Sequence, residues 1–224
     1  MKFPVLIINF KTYSQATGKN AEYLAEICSQ LAKESRKNIM ISVQPTDIFR
    51  ITSKYSIPVL AQHIDPFEQG RNTGKILGEA LKSAGAFGVL INHSEDPCRL
   101  DIIEEAVKKA KKLNLKTIVC AGDAKTAEAV AVFEPDAIAV EPPELVSGKT
   151  SVSEAKPEVI KKAVSAVHKV KNIPVLCGAG VHNLQDVKKA IELGAKGILI
   201  ANAVCTSQDP GSVIKELLKG LEHF

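Results

Sequence analysis

Short apolar runs recur along the chain at near-regular intervals. They are VLIINF (5–10), IMISV (39–43), PVLAQ (58–62), FGVLIN (87–92), LKTIVC (115–120), DAIAV (136–140), IPVLCG (173–178) and KGILIA (196–201). Most hold four to six residues and show almost no polar alternation. That is the pattern of a strand covered on both faces, as in a parallel sheet flanked by helices. The stretches between them change period. Over 21–35, Tyr23, Leu24, Ile27 and Leu31 fall on one helical stripe. The segments 100–113 and 184–194 read likewise, the second ending on Gly194, where a helix C-cap glycine belongs. Pro157 suits the first turn of a helix over 156–170, and a last helix is predicted over 209–220.

Eight strand-then-helix units in 224 residues average about 28 residues each. Strict alternation argues for a parallel sheet, and eight units is the number that closes it into a barrel. The expected fold is therefore α/β, a single-domain (β/α)8 barrel over 1–224 with short loops. A doubly wound open sheet is the alternative, but the turn after the first strand lacks the G-x-G-x-x-G pattern of that class.

Composition narrows the field without naming a function. The chain is 45% hydrophobic with a net charge of +4, ordinary for a globular domain. The densest basic run, Lys108–Lys112, has no interleaved aromatics and reads as a solvated helix face, not a nucleic-acid patch. No apolar run reaches the roughly 18 residues of a membrane span, and the N-terminus does not read as a signal peptide. Five dispersed cysteines without C-x-x-C point to reduced thiols and a cytoplasmic protein. The five histidines show no metal-ligand spacing, so no metal is expected.

In a (β/α)8 barrel, the active site lies where the strands end. That rule selects Asn9 and Lys11 after the first strand, spaced to face one side across Phe10. It selects Asn92, His93, Ser94 and Glu95 after the fourth and Glu141 after the sixth. The small-residue loops CGAGV (177–181) and ANAV (201–204) follow the seventh and eighth. Each has a plain reading. Asn9 and Lys11 can be polar residues leaving a strand. Ser94 and Glu95 can cap a helix, Glu141 can be a turn acid, and the glycines can serve a tight turn. Cys120 or Cys177 opposite His93 is a further option as a nucleophile, against the usual role of cysteine as a small buried hydrophobe. Their joint placement at one mouth favours chemistry. A carboxylate, an imidazole and a lysine suit proton abstraction beside a carbonyl. Helix N-termini after the last two strands suit phosphate.

NFK after strand one, AQH (61–63), NHSE (92–95), EPPELVSG (141–148) and GAGV (178–181) together resemble the triosephosphate isomerase family. The resemblance runs nearly end to end, in order. The short chain and AKPEVI (155–160) are most similar to the compact archaeal members. The resemblance implies a glycolytic and gluconeogenic isomerase that needs no cofactor and interconverts dihydroxyacetone phosphate and D-glyceraldehyde 3-phosphate through an enediolate. Matched by motif, Glu141 would be the base. His93 would be a neutral electrophile with its pKa lowered by the following helix N-terminus, and Lys11 would balance the negative charge. Asn9 would bind substrate oxygens, and Glu95 would orient Lys11 or its neighbours. Val146, Gly148, Gly178, Gly180, Ala201 and Asn202 would form the phosphate-binding loops.

The resemblance also implies a lid. The prolines after Glu141 would be its stiff hinge, 144–146 its tip, and Ser147 with Gly148 its soft hinge. Two departures stand out: the lid lacks the family's frequent tryptophan, and ANAV replaces a glycine-rich eighth loop. The segment 65–75 resembles the loop that reaches a neighbouring subunit, implying a homodimer or homotetramer with Thr73 near the partner's site. The rival readings are another phosphate-binding barrel isomerase and a non-catalytic phosphosugar-binding barrel.

Overall fold

Eight parallel strands close on themselves in sequence order, with β1 pairing both β2 and β8. They are β1 (Val5–Asn9), β2 (Asn38–Val43), β3 (Val59–Ala61), β4 (Gly88–Ile91), β5 (Lys116–Ala121), β6 (Ala137–Val140), β7 (Val175–Cys177) and β8 (Gly197–Ile200). Each lies within a residue or two of its predicted apolar run. The structure, a computed structural model, describes residues 1–142 and 157–221.

Around the barrel run α1 (Lys19–Ser35), α2 (Pro45–Thr52), α3 (Gly78–Ser83), α4 (Leu100–Lys112) and α5 (Ala124–Ala131). They are followed by α6 (Pro157–Val170), α7 (Leu184–Glu192), α8 (Asn202–Cys205) and α9 (Pro210–Lys219). Of these, α2, α3 and α5 carry no counterpart in the sequence reading, while α8 starts at the predicted helix N-terminus after the eighth strand. Asn183 caps α7, accepting hydrogen bonds from the N–H groups of Gln185 and Asp186. Gly194, with φ at 102°, follows the end of that helix, in the left-handed geometry that favours glycine.

Strand alternation divides the core in two. Val5, Ile7, Leu60, Leu90, Ile118 and Leu176 belong to the cluster filling the barrel interior. Leu6, Ile8, Val89, Val119, Ile138 and Val175 pack outward against the helices. Both faces are apolar, which is why the runs did not alternate. Ile8 is wholly buried, and truncating such a side chain to alanine costs roughly 2–5 kcal/mol. The same two-residue period, carried one step past the apolar part, turns Asn9 and Glu141 toward the barrel axis with Ile7 and Ala139.

One sequence expectation fails. The 108–112 run is not a uniformly solvated face: Lys109 is 5% exposed. Its Nζ lies 2.7 Å from Glu68 Oε2 and 2.6 Å from Glu79 Oε1. Two carboxylates on neighbouring elements compensate its burial, a requirement that leaves no mark in local sequence.

Candidate active site

The mouth of the barrel brings Asn9, Lys11, His93, Glu141, Gly180 and Asn202 around one cavity of about 150 Å³, with Gly178 and Ala201 also in its wall. Pockets that take drug-sized ligands run to roughly 300–1,000 Å³, so this one suits a small occupant. Val146, Gly148 and the rest of the expected lid lie outside the described residues.

β1 delivers the first two groups. Asn9 is 4% exposed, and its Oδ1 accepts the Lys11 N–H at 3.0 Å and the Gln62 Nε2 amide at 3.2 Å. Gln62 also donates toward Lys11 O at 3.0 Å. These bonds hold Lys11 in a left-handed backbone conformation, φ 46°, uncommon for a residue with a side chain. Gln62 belongs to the AQH motif, but its hold on β1 was not predicted. Lys11 Nζ reaches Glu95 Oε1 at 2.7 Å, the pairing expected of Glu95.

His93 sits in a turn, not at a helix start. The Asp96 N–H closes the turn on His93 O at 2.8 Å, and the first helix after β4 begins only at Leu100. Ser94 therefore does not cap that helix. Burial lowers the pKa of His93 first, the Lys11 charge second, with Glu95 and Asp96 opposing. The expected helix N-terminus is not among these causes. His93 Nδ1 accepts the Glu95 N–H at 3.2 Å. In the neutral ring, the hydrogen then belongs on Nε2, the nitrogen 3.5 Å from Glu141 Oε1.

Glu141 is 3% exposed, and its backbone N–H extends the sheet to Ala121 O at 2.8 Å. Burial raises its carboxyl pKa from 4.5 to about 7. The Lys11 charge, the Cys120 thiol and the Ser94 N–H restrain the rise, and Glu95 adds to it. Oε2 is buried without a full hydrogen bond. A carboxyl poised near neutrality is suited to taking and returning a proton. Glu141 can serve as that base, with Nε2–H of His93 as the donor beside it and Lys11 as the fixed positive charge.

The thiols do not compete for this role. Burial first, then Glu141, pushes Cys120 well above the ordinary thiol range, and burial takes Cys177 up to about 12. A nucleophile must reach the thiolate, which neither does near neutral pH. On the opposite wall, Gly180 has φ 67°, and α8 begins at Asn202. The first N–H groups of a helix have no partner within it, so this wall can receive an anion. Among the described residues, no cluster of side chains could hold a metal ion.

Comparison with known proteins agrees with this geometry. The sequence profile of the family described as Triosephosphate isomerase matches residues 4–217. Curated proteins named Triosephosphate isomerase are similar over nearly their whole length. The one from Methanobacterium bryantii is 44% identical over 216 residues, 96% of each chain. That from Methanothermus fervidus is 43% identical over 219 residues, 97% of this chain and 99% of its own. The Methanocaldococcus jannaschii protein is 44% identical over 216 residues, 96% of this chain and 99% of its own.

Proposed function

We propose that this chain, which belongs to the triosephosphate isomerase family, interconverts dihydroxyacetone phosphate and D-glyceraldehyde 3-phosphate. The observation that carries the reading is Glu141: a buried carboxyl with a pKa near 7, 3.5 Å from a histidine whose own pKa is lowered. Glu141 takes a proton from carbon one of dihydroxyacetone phosphate and returns it to carbon two. The carbonyl oxygen gains charge as this happens, and His93 stabilises it through Nε2–H. The neutral imidazole then relays the hydroxyl proton from the carbon-one oxygen to the carbon-two oxygen, which leaves an aldehyde at carbon one and a hydroxyl at carbon two. Lys11, positioned by Glu95, balances the charge of enediolate and phosphate, and Asn9 binds substrate oxygens. Gly180, Ala201 and Asn202 hold the phosphate through backbone N–H groups, while Gly178, whose own N–H is spent on Val140 O at 2.9 Å, lines the wall. No cofactor enters this scheme, because one carboxylate both removes and restores the proton.

We further place the protein in the cytoplasm, in glycolysis and gluconeogenesis. Five unpaired cysteines support this location; among the described residues, no helix is long and apolar enough to cross a membrane. Self-association is proposed through the loop around Thr73, as a dimer or tetramer. Thr73 is exposed, and the loop base is closed by Asp65, whose N–H donates to Ile76 O at 2.9 Å while its Oδ2 accepts the Ile76 N–H at 2.7 Å. A second cavity beside the site, lined by Thr12, Gln44, Gln62, His63 and Asp96, would receive the partner's loop.

The test is a coupled assay that supplies glyceraldehyde 3-phosphate and follows NADH oxidation by glycerol-3-phosphate dehydrogenase. Turnover abolished by Glu141→Gln is the expected result. Triose phosphate binding without turnover at micromolar enzyme would select a non-catalytic phosphosugar-binding barrel instead.

A further inference from the structure

Asn92 has no part in the chemistry described so far, and it is not in the wall of the main cavity. It joins β4 to the turn that carries His93. Its φ is 61°, a left-handed conformation that asparagine and glycine adopt far more readily than other residues. Both ends of its side-chain amide are used. Nδ2 donates to Cys120 O at 2.9 Å, and Oδ1 accepts the Cys98 N–H at 2.9 Å.

These two bonds tie three places together. Cys98 lies at the far end of the 93–98 loop, just before α4, so the Oδ1 bond closes that loop on Asn92, the residue that precedes it. Within the closure sit His93, with Nδ1 held by the Glu95 N–H, and Glu95, with its carboxylate on Lys11. Cys120 lies in β5 and faces the barrel interior, where its thiol meets the Glu141 carboxyl. The Nδ2 bond therefore pins the loop bearing His93 to the strand that Glu141 packs against. No other residue type reproduces the set. Glycine takes the backbone angle but makes neither bond. Aspartate takes the angle and accepts from Cys98, yet sets an oxygen against the Cys120 carbonyl.

We propose that Asn92 is a positioning residue for the isomerisation: its amide fixes the distance between the His93 imidazole and the Glu141 carboxylate by joining β4, β5 and the catalytic turn. The inference rests on the reading of Glu141 and His93 given above. A misplacement near 1 Å can cost about a hundredfold in rate, so a loop loosened without being unfolded is enough to lower kcat.

The test uses Asn92→Gly and Asn92→Asp in the full chain, with steady-state kinetics on glyceraldehyde 3-phosphate. Inhibition is measured with two probes: inorganic phosphate, and 2-phosphoglycolate, whose carboxylate mimics the enediolate. Both variants are expected to lose about tenfold to a hundredfold in kcat with KM nearly unchanged. Phosphate should inhibit them as it does the parent, while phosphoglycolate weakens by about tenfold or more. If Asn92→Gly fails to fold, Asn92→Asp decides, since it keeps the backbone preference and the Cys98 bond. Variants that keep parental kcat overturn the proposal. So does a loss of phosphate inhibition parallel to the loss of kcat, which signals general loosening. An inactive parent would instead sink the isomerase reading itself.

Discussion

Gly178 leaves no room beside Glu141 for even one carbon. A β-carbon built on Gly178 would run into Glu141 Cγ and lie 3.0 Å from Oε1 and 3.2 Å from Cδ. The Glu141 side chain therefore lies in space that only glycine provides. Gly178→Ala adds no backbone strain, because Gly178 is not among the positive-φ residues; its effect is steric and falls on the carboxylate. The expected outcome is a fall in kcat of about tenfold to a hundredfold. Inhibition by inorganic phosphate should persist, since the loop itself survives. Steady-state kinetics with phosphate as inhibitor will decide, and an alanine variant with parental kcat would show that Glu141 does not act from this position.

The burial that raises the Glu141 pKa also costs stability, with a definite sign. Its folded pKa of about 7 lies above its ordinary 4.5, so the protonated form is favoured in the fold. The contribution is fully present below pH 4.5 and lost as pH rises through 7, where the buried charge must be carried. Glu141→Gln removes that charge. The variant should be inactive but more stable than the parent above pH 7, by at most on the order of 3 kcal/mol. The two should converge near pH 4. Denaturant midpoints at pH 4 and pH 8 provide the check; the same gap at both would mean that Glu141 titrates normally.

The barrel was legible in the chain because its strands are buried on both faces, so each apolar run announced itself without need of long-range information. Asn9, Lys11, His93, Glu95 and Glu141 were legible because the end of a strand is a position that sequence can mark. Gln62 was marked only as part of a motif and Asn92 only as a residue at a strand end, and the partners of neither could be read. Their hydrogen bonds reach Asn9, 53 residues away, and a backbone carbonyl 28 residues away, and carbonyl acceptors carry no residue signature. The cause of the lowered His93 pKa was misread for a related reason. NHSE looks like a helix start, yet the chain makes a turn there and delays α4 to Leu100. Desolvation and a lysine from another strand supply the shift.

Glu95 links the charges of the site, and its removal should move a pH profile. Its charge raises the pKa of both Glu141 and His93, while the charge of its partner Lys11 lowers both. Glu95→Gln leaves Lys11 without its counter-charge and ends the upward push on Glu141. The acid limb of kcat/KM should shift to lower pH. The loss at the optimum should be no more than about tenfold, because the Glu95 side chain is 56% exposed and pairs of that kind are worth roughly 0–1 kcal/mol. A limb that stays put or moves upward contradicts the assignment.

Lys109 ties α4 to Glu79 of α3 and to Glu68 of the loop after β3. Its side chain is 6% exposed, against 27% for Glu79 and 76% for Glu68, so its loss bears unequally on the two acids. Water can solvate Glu68, but Glu79 already has a buried oxygen without a hydrogen-bond partner and depends on the ammonium. Lys109 holds the Glu79 pKa below the ordinary 4.5, so this contribution exists above pH 4.5 and disappears as the solution is acidified. Lys109→Met should lower Tm at pH 7 by roughly 5 °C, corresponding to about 2 kcal/mol. Adding Glu79→Leu should restore most of the loss, since an apolar pair can replace a buried ion pair at little cost. Adding Glu68→Gln should restore none. Equal rescue by both second substitutions in thermal melts would mean that Lys109 acts through general charge and not through the buried contact with Glu79.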